Sequence, residues 1–103
     1  GKEASLKHLK TLPIDRIKID RSFVDQIERD RSNRAIVQGL IGIAHSLDLW
    51  VTAEGVETEI QLHELRRFNC DQAQGYLIAK PMHPERVPYF ITRLSGPLIA
   101  QAV

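Results

Sequence analysis

The sequence predicts an α/β fold: a partial TIM-like (βα) barrel of about three parallel strands with flanking helices. Three observations carry this expectation. Apolar periodicity gives a helix and then three strands, each followed by a helix, and such alternation implies a parallel sheet with right-handed crossovers. The longest helix bears a broad apolar stripe of the kind that packs on a sheet: Ile36, Val37, Leu40, Ile41, Ile43, Ala44 and Leu47. The first strand sets Arg16, Lys18 and Asp20 on one side. Parallel sheets are normally buried on both faces, where polar side chains are costly unless they serve a barrel mouth or a site. A barrel piece therefore fits better than a flat doubly wound sheet. Three unequal units are also too irregular for a solenoid.

The elements follow in order. Residues 3–12 read as a short helix with Leu6, Leu9 and Leu12 on one face, and Pro13 stops it. Residues 14–20 alternate as a strand whose apolar positions are Ile14, Ile17 and Ile19. Residues 21–31 are charged and predict a loop or short helix pinned by Phe23, Val24 and Ile27. A helix capped by Ser32 or Asn33 then runs to about Leu47. Residues 50–54 make the second strand, which ends at Gly55. Thr58 and Gln61 form a capping-box pair that opens a helix to about Phe68. Residues 73–78 read as the third strand, and Pro81 and Pro84 frame a loop. Residues 85–94 predict a last helix, broken by Ser95, Gly96 and Pro97.

Length and charge narrow the function classes. A chain of 103 residues holds one domain or a piece of one. Its 43% hydrophobic and 26% charged residues are the mix of a globular protein, and no apolar run reaches the ~18 residues that span a membrane. A net charge of +1, with bases and acids interleaved, gives no electrostatic case for a nucleic-acid polymer or a membrane surface. The single cysteine, Cys70, rules out an internal disulfide and fits a reducing, cytoplasmic compartment. It reads as a buried structural thiol rather than a nucleophile. His8, His45, His63 and His83 lack zinc-type spacing, and His45, beside the apolar stripe, reads as structural. No Gly-rich phosphate loop and no Gly-x-Ser-x-Gly elbow occurs.

In a βα barrel, chemistry gathers where strands end. Lys18 near the end of the first strand, Glu54 at the end of the second and Gln74 in the third occupy such places. A carboxylate can hold a hard divalent ion, an ammonium can neutralise charge developing on a phosphate, and an amide can orient a water. Spacing alone leaves blander readings open. Lys18 can be a strand-end lysine paired with Asp20, Glu54 and Glu57 carboxylates favoured at a helix N-terminus, and Gln74 a loop anchor.

The residue strings are more specific than the pattern. They are Leu9-Lys10-Thr11-Leu12-Pro13, Ile17-Lys18-Ile19-Asp20-Arg21-Ser22-Phe23-Val24, and a helix ending Ala44-His45-Ser46-Leu47. Further along stand Val51-Thr52-Ala53-Glu54-Gly55-Val56-Glu57-Thr58, Cys70-Asp71-Gln72-Ala73-Gln74-Gly75-Tyr76-Leu77 and Ala79-Lys80-Pro81-Met82. In this order and spacing, over residues 6–94, the chain resembles the C-terminal part of EAL domains, the bacterial phosphodiesterases specific for cyclic di-GMP. Residues 95–103 are left as a tail. The resemblance implies a TIM-like barrel that hydrolyses cyclic di-GMP to linear pGpG with two divalent metals, magnesium (Mg2+) or manganese (Mn2+). It carries the family's lysine beside the nucleophilic water onto Lys18 and the metal-site glutamate onto Glu54. The glutamine of the metal–water shell falls on Gln74, a site-supporting glutamate on Glu57, and a substrate-flanking loop on Pro81. A homodimer through this domain, and sensory or cyclase-like domains upstream, are implied in the same way.

The family's Glu-Ala-Leu string, the asparagine and glutamate of its middle strands and its paired aspartates do not occur in these residues. The remaining metal ligands are therefore expected upstream of Gly1, and the chain on its own is expected to be inactive. Lys2 and Ala4 stand where the family commonly has glycine and serine. Two other function classes stay open. One is a non-catalytic EAL domain acting as a cyclic di-GMP receptor or protein-interaction module, the other a purely structural βα module. Three barrel strands alone would also leave two parallel edges unpaired, which predicts association.

Overall fold

Alternation at Ile17 and Ile19 does produce the first strand, β1 (Arg16–Ile19), and the elements after it largely keep the expected order in a computed structural model that describes residues 13–78 and 89–94. A short α1 (Arg21–Asp25) and a long α2 (Arg31–Ser46) lead to β2 (Trp50–Val56). Then come α3 (Glu59–Arg67), β3 (Gln72–Gly75) and β4 (Phe90–Arg93). The sheet order is β1-β2-β3-β4. β1, β2 and β3 are parallel, joined by helical crossovers, and β4 runs antiparallel to β3. The expected helix at residues 3–12, the loop framed by Pro81 and Pro84, and His8 and His83 lie outside the described residues.

Two crossovers end the same way. After α2, Leu49 N donates to Ala44 O and Asp48 N to His45 O; after α3, Cys70 N donates to Leu65 O and Asn69 N to Arg66 O. Asp48 (φ 59°) and Asn69 (φ 65°) take the left-handed turn that these paired bonds require, a conformation short polar side chains tolerate. Each turn drops the chain straight into the next strand. The start of α3 is the capping box expected from sequence: Thr58 Oγ1 accepts from Gln61 N, and Gln61 Oε1 accepts from Thr58 N.

The sheet buries one face against the helices. Ile19, Val51, Ala53 and Ala73 from the strands meet Val24, Ile27, Val37, Ile41, Ala44, Leu65 and Phe68 in one core. Cys70 sits in that core with no exposed surface, and burial pushes its thiol up to about 12 from 9.0. A raised folded value means the native state keeps the proton while the unfolded chain releases it. The thiol's contribution to stability is therefore full below pH 9.0 and is lost as pH rises toward 12. Iodoacetamide at pH 8 should accordingly label native Cys70 on the order of a thousandfold more slowly than denatured Cys70. Rapid stoichiometric labelling of the native chain would contradict the buried structural role.

Four local expectations are corrected. The α2 cap is Asp30, not Ser32 or Asn33: its Oδ1 accepts from both their amides, at 2.9 and 3.2 Å. A carboxylate one residue before the helix satisfies two orphan donors and meets the positive end of the helix dipole. Within residues 21–31, Val24 and Ile27 are the pins, whereas Phe23 is 41% exposed. The apolar stripe of α2 is wider than its contact with the sheet, because Val37, Ile41 and Ala44 are buried while Ile36, Leu40 and Ile43 are exposed.

The fourth correction concerns the last helix. Residues 90–93 form a strand. Tyr89, Phe90, Ile91 and Thr92 are aromatic or β-branched, which suits a pleated surface, and Phe90 packs against the core. The open edge of β3 offers ladder partners that a helix would leave empty. β4 thereby covers one of the two edges expected to stay bare; among the described residues β1 pairs with β2 alone.

Candidate functional site

Strand pairing decides which side chains share the face away from the helices. Lys18 lies in register with Thr52, and Gln72 lies opposite Thr52 on the other side of β2. Alternation therefore puts Lys18, Trp50, Thr52, Glu54, Gln72 and Gln74 on one face. Hydrogen bonds from Trp50 Nε1 to Thr52 Oγ1 (3.2 Å) and from Thr52 Oγ1 to Gln72 Oε1 (3.0 Å) run along it, and the Arg93 guanidinium covers the Trp50 ring.

At the C-terminal ends of the parallel strands this face brings three of the expected residues together. Lys18 Nζ stands 3.2 Å from Glu54 Oε1, and Gln74 Nε2 donates to the same oxygen at 3.4 Å. Lys18 does not pair with Asp20. The Asp20 carboxylate instead caps α1, accepting from Ser22 Oγ and Ser22 N, and these two bonds hold it below its usual range. The Lys18 side chain is 64% exposed, so its ion pair contributes only about 0–1 kcal/mol to stability. An ammonium left this open is placed to meet an anion from solvent.

Glu57 is built differently. Gly55 turns the chain at φ +71°, a left-handed conformation that glycine adopts freely, and the Arg21 stem lies against it. A Cβ at Gly55 would come within 2.6 Å of Arg21 Cγ. Arg21 Nη2 then reaches Glu57 Oε1 at 2.9 Å and its Nε stands 3.8 Å from Asp25 Oδ2. Glu57 is thus neither free in solvent nor inside α3; it ties the β1–α1 turn to the β2–α3 turn. Sequence reasoning missed Arg21 as Glu57's partner. Its one signal was a place in the Asp20-Arg21-Ser22-Phe23 string, because the pairing spans 36 positions. Pro81 lies outside the described residues.

A carboxylate, an ammonium and an amide at one point can polarise a phosphate and hold one ligand for a cation. They cannot complete a metal centre. Among the described residues no group of three or more His, Cys, Asp and Glu side chains could hold a metal ion, and a hard divalent cation takes about six oxygen ligands. Nor is any helix among them long and apolar enough to cross a membrane.

Comparison with known proteins gives this arrangement a family. The EAL domain model matches residues 1–81. The chain is 40% identical over 84 residues to the bifunctional diguanylate cyclase/cyclic di-GMP phosphodiesterase MucR of Pseudomonas aeruginosa, covering 82% of this chain and 12% of MucR. It is 44% identical over 79 residues to the cyclic di-GMP phosphodiesterase NbdA of the same organism, covering 77% of this chain and 10% of NbdA. The MucR phosphodiesterase structure in complex with c-di-GMP superposes with a TM-score of 0.67 at 41% identity, over 71% of this chain and 30% of that one. The EAL domain of Mycobacterium smegmatis DcpA gives 0.62 at 44% identity, over 68% and 31%. The chain spans about a tenth of the length of these curated relatives. Its sheet and helices are part of an α/β, TIM-like barrel. With these matches across most of its length, the chain belongs to the EAL domain family.

Proposed function

We propose that the chain supplies one side of a cyclic di-GMP phosphodiesterase site, the lysine–glutamate–glutamine side, in a domain that hydrolyses cyclic di-GMP to linear pGpG. The observation that supports this most is the meeting of Lys18 Nζ and Gln74 Nε2 on Glu54 Oε1 at the ends of three parallel strands. In this reading Glu54 is a ligand to one of two divalent ions, magnesium or manganese, which supply the Lewis-acid chemistry when bound. Lys18 offsets the negative charge that grows on the phosphate and its attacking oxygen. Gln74 fixes the Glu54 carboxylate, Glu57 braces the turn beyond it through Arg21, and the Pro81 loop flanks the substrate.

The other metal ligands come from outside the described residues, and the 103-residue chain by itself is inactive in this reading. A hybrid tests it directly: this chain in place of the matching segment of the MucR phosphodiesterase domain, assayed for pGpG release with magnesium or manganese. The hybrid is expected to turn over cyclic di-GMP and the isolated chain is not. A folded hybrid that binds the nucleotide without cleaving it would point to a receptor instead. Metal-dependent hydrolysis by the isolated chain would overturn the claim that it needs outside ligands.

A further inference from the structure

A buried carboxylate outside the Lys18–Glu54–Gln74 group is left unexplained by that reading. Asp71 immediately precedes β3, has no exposed surface, and gathers three elements around itself. Its Oδ2 accepts from Val51 N at 2.8 Å and from His45 Nε2 at 2.8 Å. A carboxylate only accepts, so the imidazole Nε2 carries the proton in this contact. The Asp71 backbone adds a donation to Val51 O at 3.2 Å, and its carbonyl accepts from Leu94 N at 2.9 Å. We propose that Asp71 and His45 form a positioning pair that sets the register of β2 against β3 and thereby holds Gln74 on Glu54. The link to turnover rests on the phosphodiesterase reading; the link to register does not.

Val51 stands three residues before Glu54, and Asp71 three residues before Gln74. Pairing proceeds through Thr52↔Gln72 and Ala53↔Ala73 and is then irregular between Ala53 and Val56. The ladder resumes only at Val56↔Gly75, so across the irregular stretch that holds Glu54 the facing of Glu54 and Gln74 leans on the regular rungs upstream. A slip of one residue there would turn one of the two side chains to the core face. Strand pairing this short is weakly specified by itself, and two hydrogen bonds between Asp71 and Val51 close it at its first rung.

His45 completes the clamp from the last turn of α2. A buried carboxylate costs several kcal/mol unless it is paired and hydrogen-bonded. Asp71 Oδ1 has no hydrogen-bond partner among the described residues, so Oδ2 carries the whole fixation. Without His45 a single backbone amide would remain to orient it. His45 is partly exposed, at 22%, which allows its replacement without opening the core.

The test uses the isolated 103-residue chain, 15N-labelled, with the Gln74 side-chain amide as the reporter. His45→Ala is expected to shift the Gln74 amide resonances and to raise the exchange rate of the Val51 backbone amide roughly tenfold or more. His45→Gln, which keeps a donor at similar reach, is expected to restore both toward wild type. If the alanine variant does not fold, His45→Leu fills the space without a donor and carries the same comparison. A Gln74 signal unmoved by loss of the donor, or a His45→Gln variant that behaves like His45→Ala, overturns the proposal. Turnover by the MucR hybrid with His45 intact is a separate measurement. Its failure would remove the phosphodiesterase reading and leave the Gln74 result standing.

Discussion

Gly75→Ala is expected to cost on the order of 3 kcal/mol or more and to lower the melting temperature by more than about 10 °C. The cause is a close approach of two backbones. A Cβ at Gly75 would lie 2.2 Å from Val56 O and 2.6 Å from Val56 N, inside the distance any real Cβ keeps. Both atoms belong to the main chain of β2, paired with Gly75 at the last rung of the β2–β3 ladder. They cannot rotate away as a flexible side chain would, so β3 must separate from β2 or both must bend. Domains of this size hold only about 5–15 kcal/mol in total, so the loss is a large fraction of what keeps the chain folded. Gly39→Ala is the control. Nothing lies within 4 Å of its Cβ position, and alanine within α2 should stabilise by about 0.5–1 kcal/mol. Thermal melts by circular dichroism separate the two, and a Gly75→Ala chain that melts with wild type would refute the close approach.

Lys18→Ala should do the opposite: leave stability almost untouched and remove activity. Its ion pair with Glu54 is largely exposed, so the melting temperature should move by no more than a few degrees. In the MucR hybrid, kcat should fall about 100- to 1000-fold with little change in KM, because charge is offset chiefly where it develops in the transition state. Lys18→Arg should not rescue fully, since a planar guanidinium presents its charge in a different geometry from a point ammonium. A raised KM with kcat unchanged would instead assign Lys18 to ground-state binding of the nucleotide, and losses shared equally between the two would argue against a role confined to the transition state.

Much of the architecture was legible because it is local. The Thr58–Gln61 capping box, the α2 and α3 extents and the first two strands follow from periodicity and caps, which act within a few residues. Misreadings occurred where a local rule competed with a distant one. Ser32 and Asn33 have good capping side chains, but Asp30 precedes them and takes both amides. Residues 90–93 have an ambiguous pattern, and an unpaired edge on β3 resolved it in favour of a strand. Phe23 looked like a pin from its size, yet the turn of α1 points Val24 inward instead.

The candidate site divides the same way. Residue type and strand-end position were enough to single out Lys18, Glu54 and Gln74, and the ordered strings were enough to suggest the family. Which oxygen they meet on, and that Lys18 leaves Asp20 for Glu54, depended on the parallel register of β1, β2 and β3. The partners Arg21 of Glu57 and His45 of Asp71 were hidden, because each pair joins residues more than 20 positions apart. Residue order alone was sufficient for the helices and parallel strands up to β3 and for the chemistry available at the strand ends, since those depend on intrinsic propensity and side-chain type, but not for β4 or for which part of the α2 stripe is buried. Who pairs with whom came from the fold, because sheet register and crossover packing are set by contacts that the chain makes after it has folded back on itself.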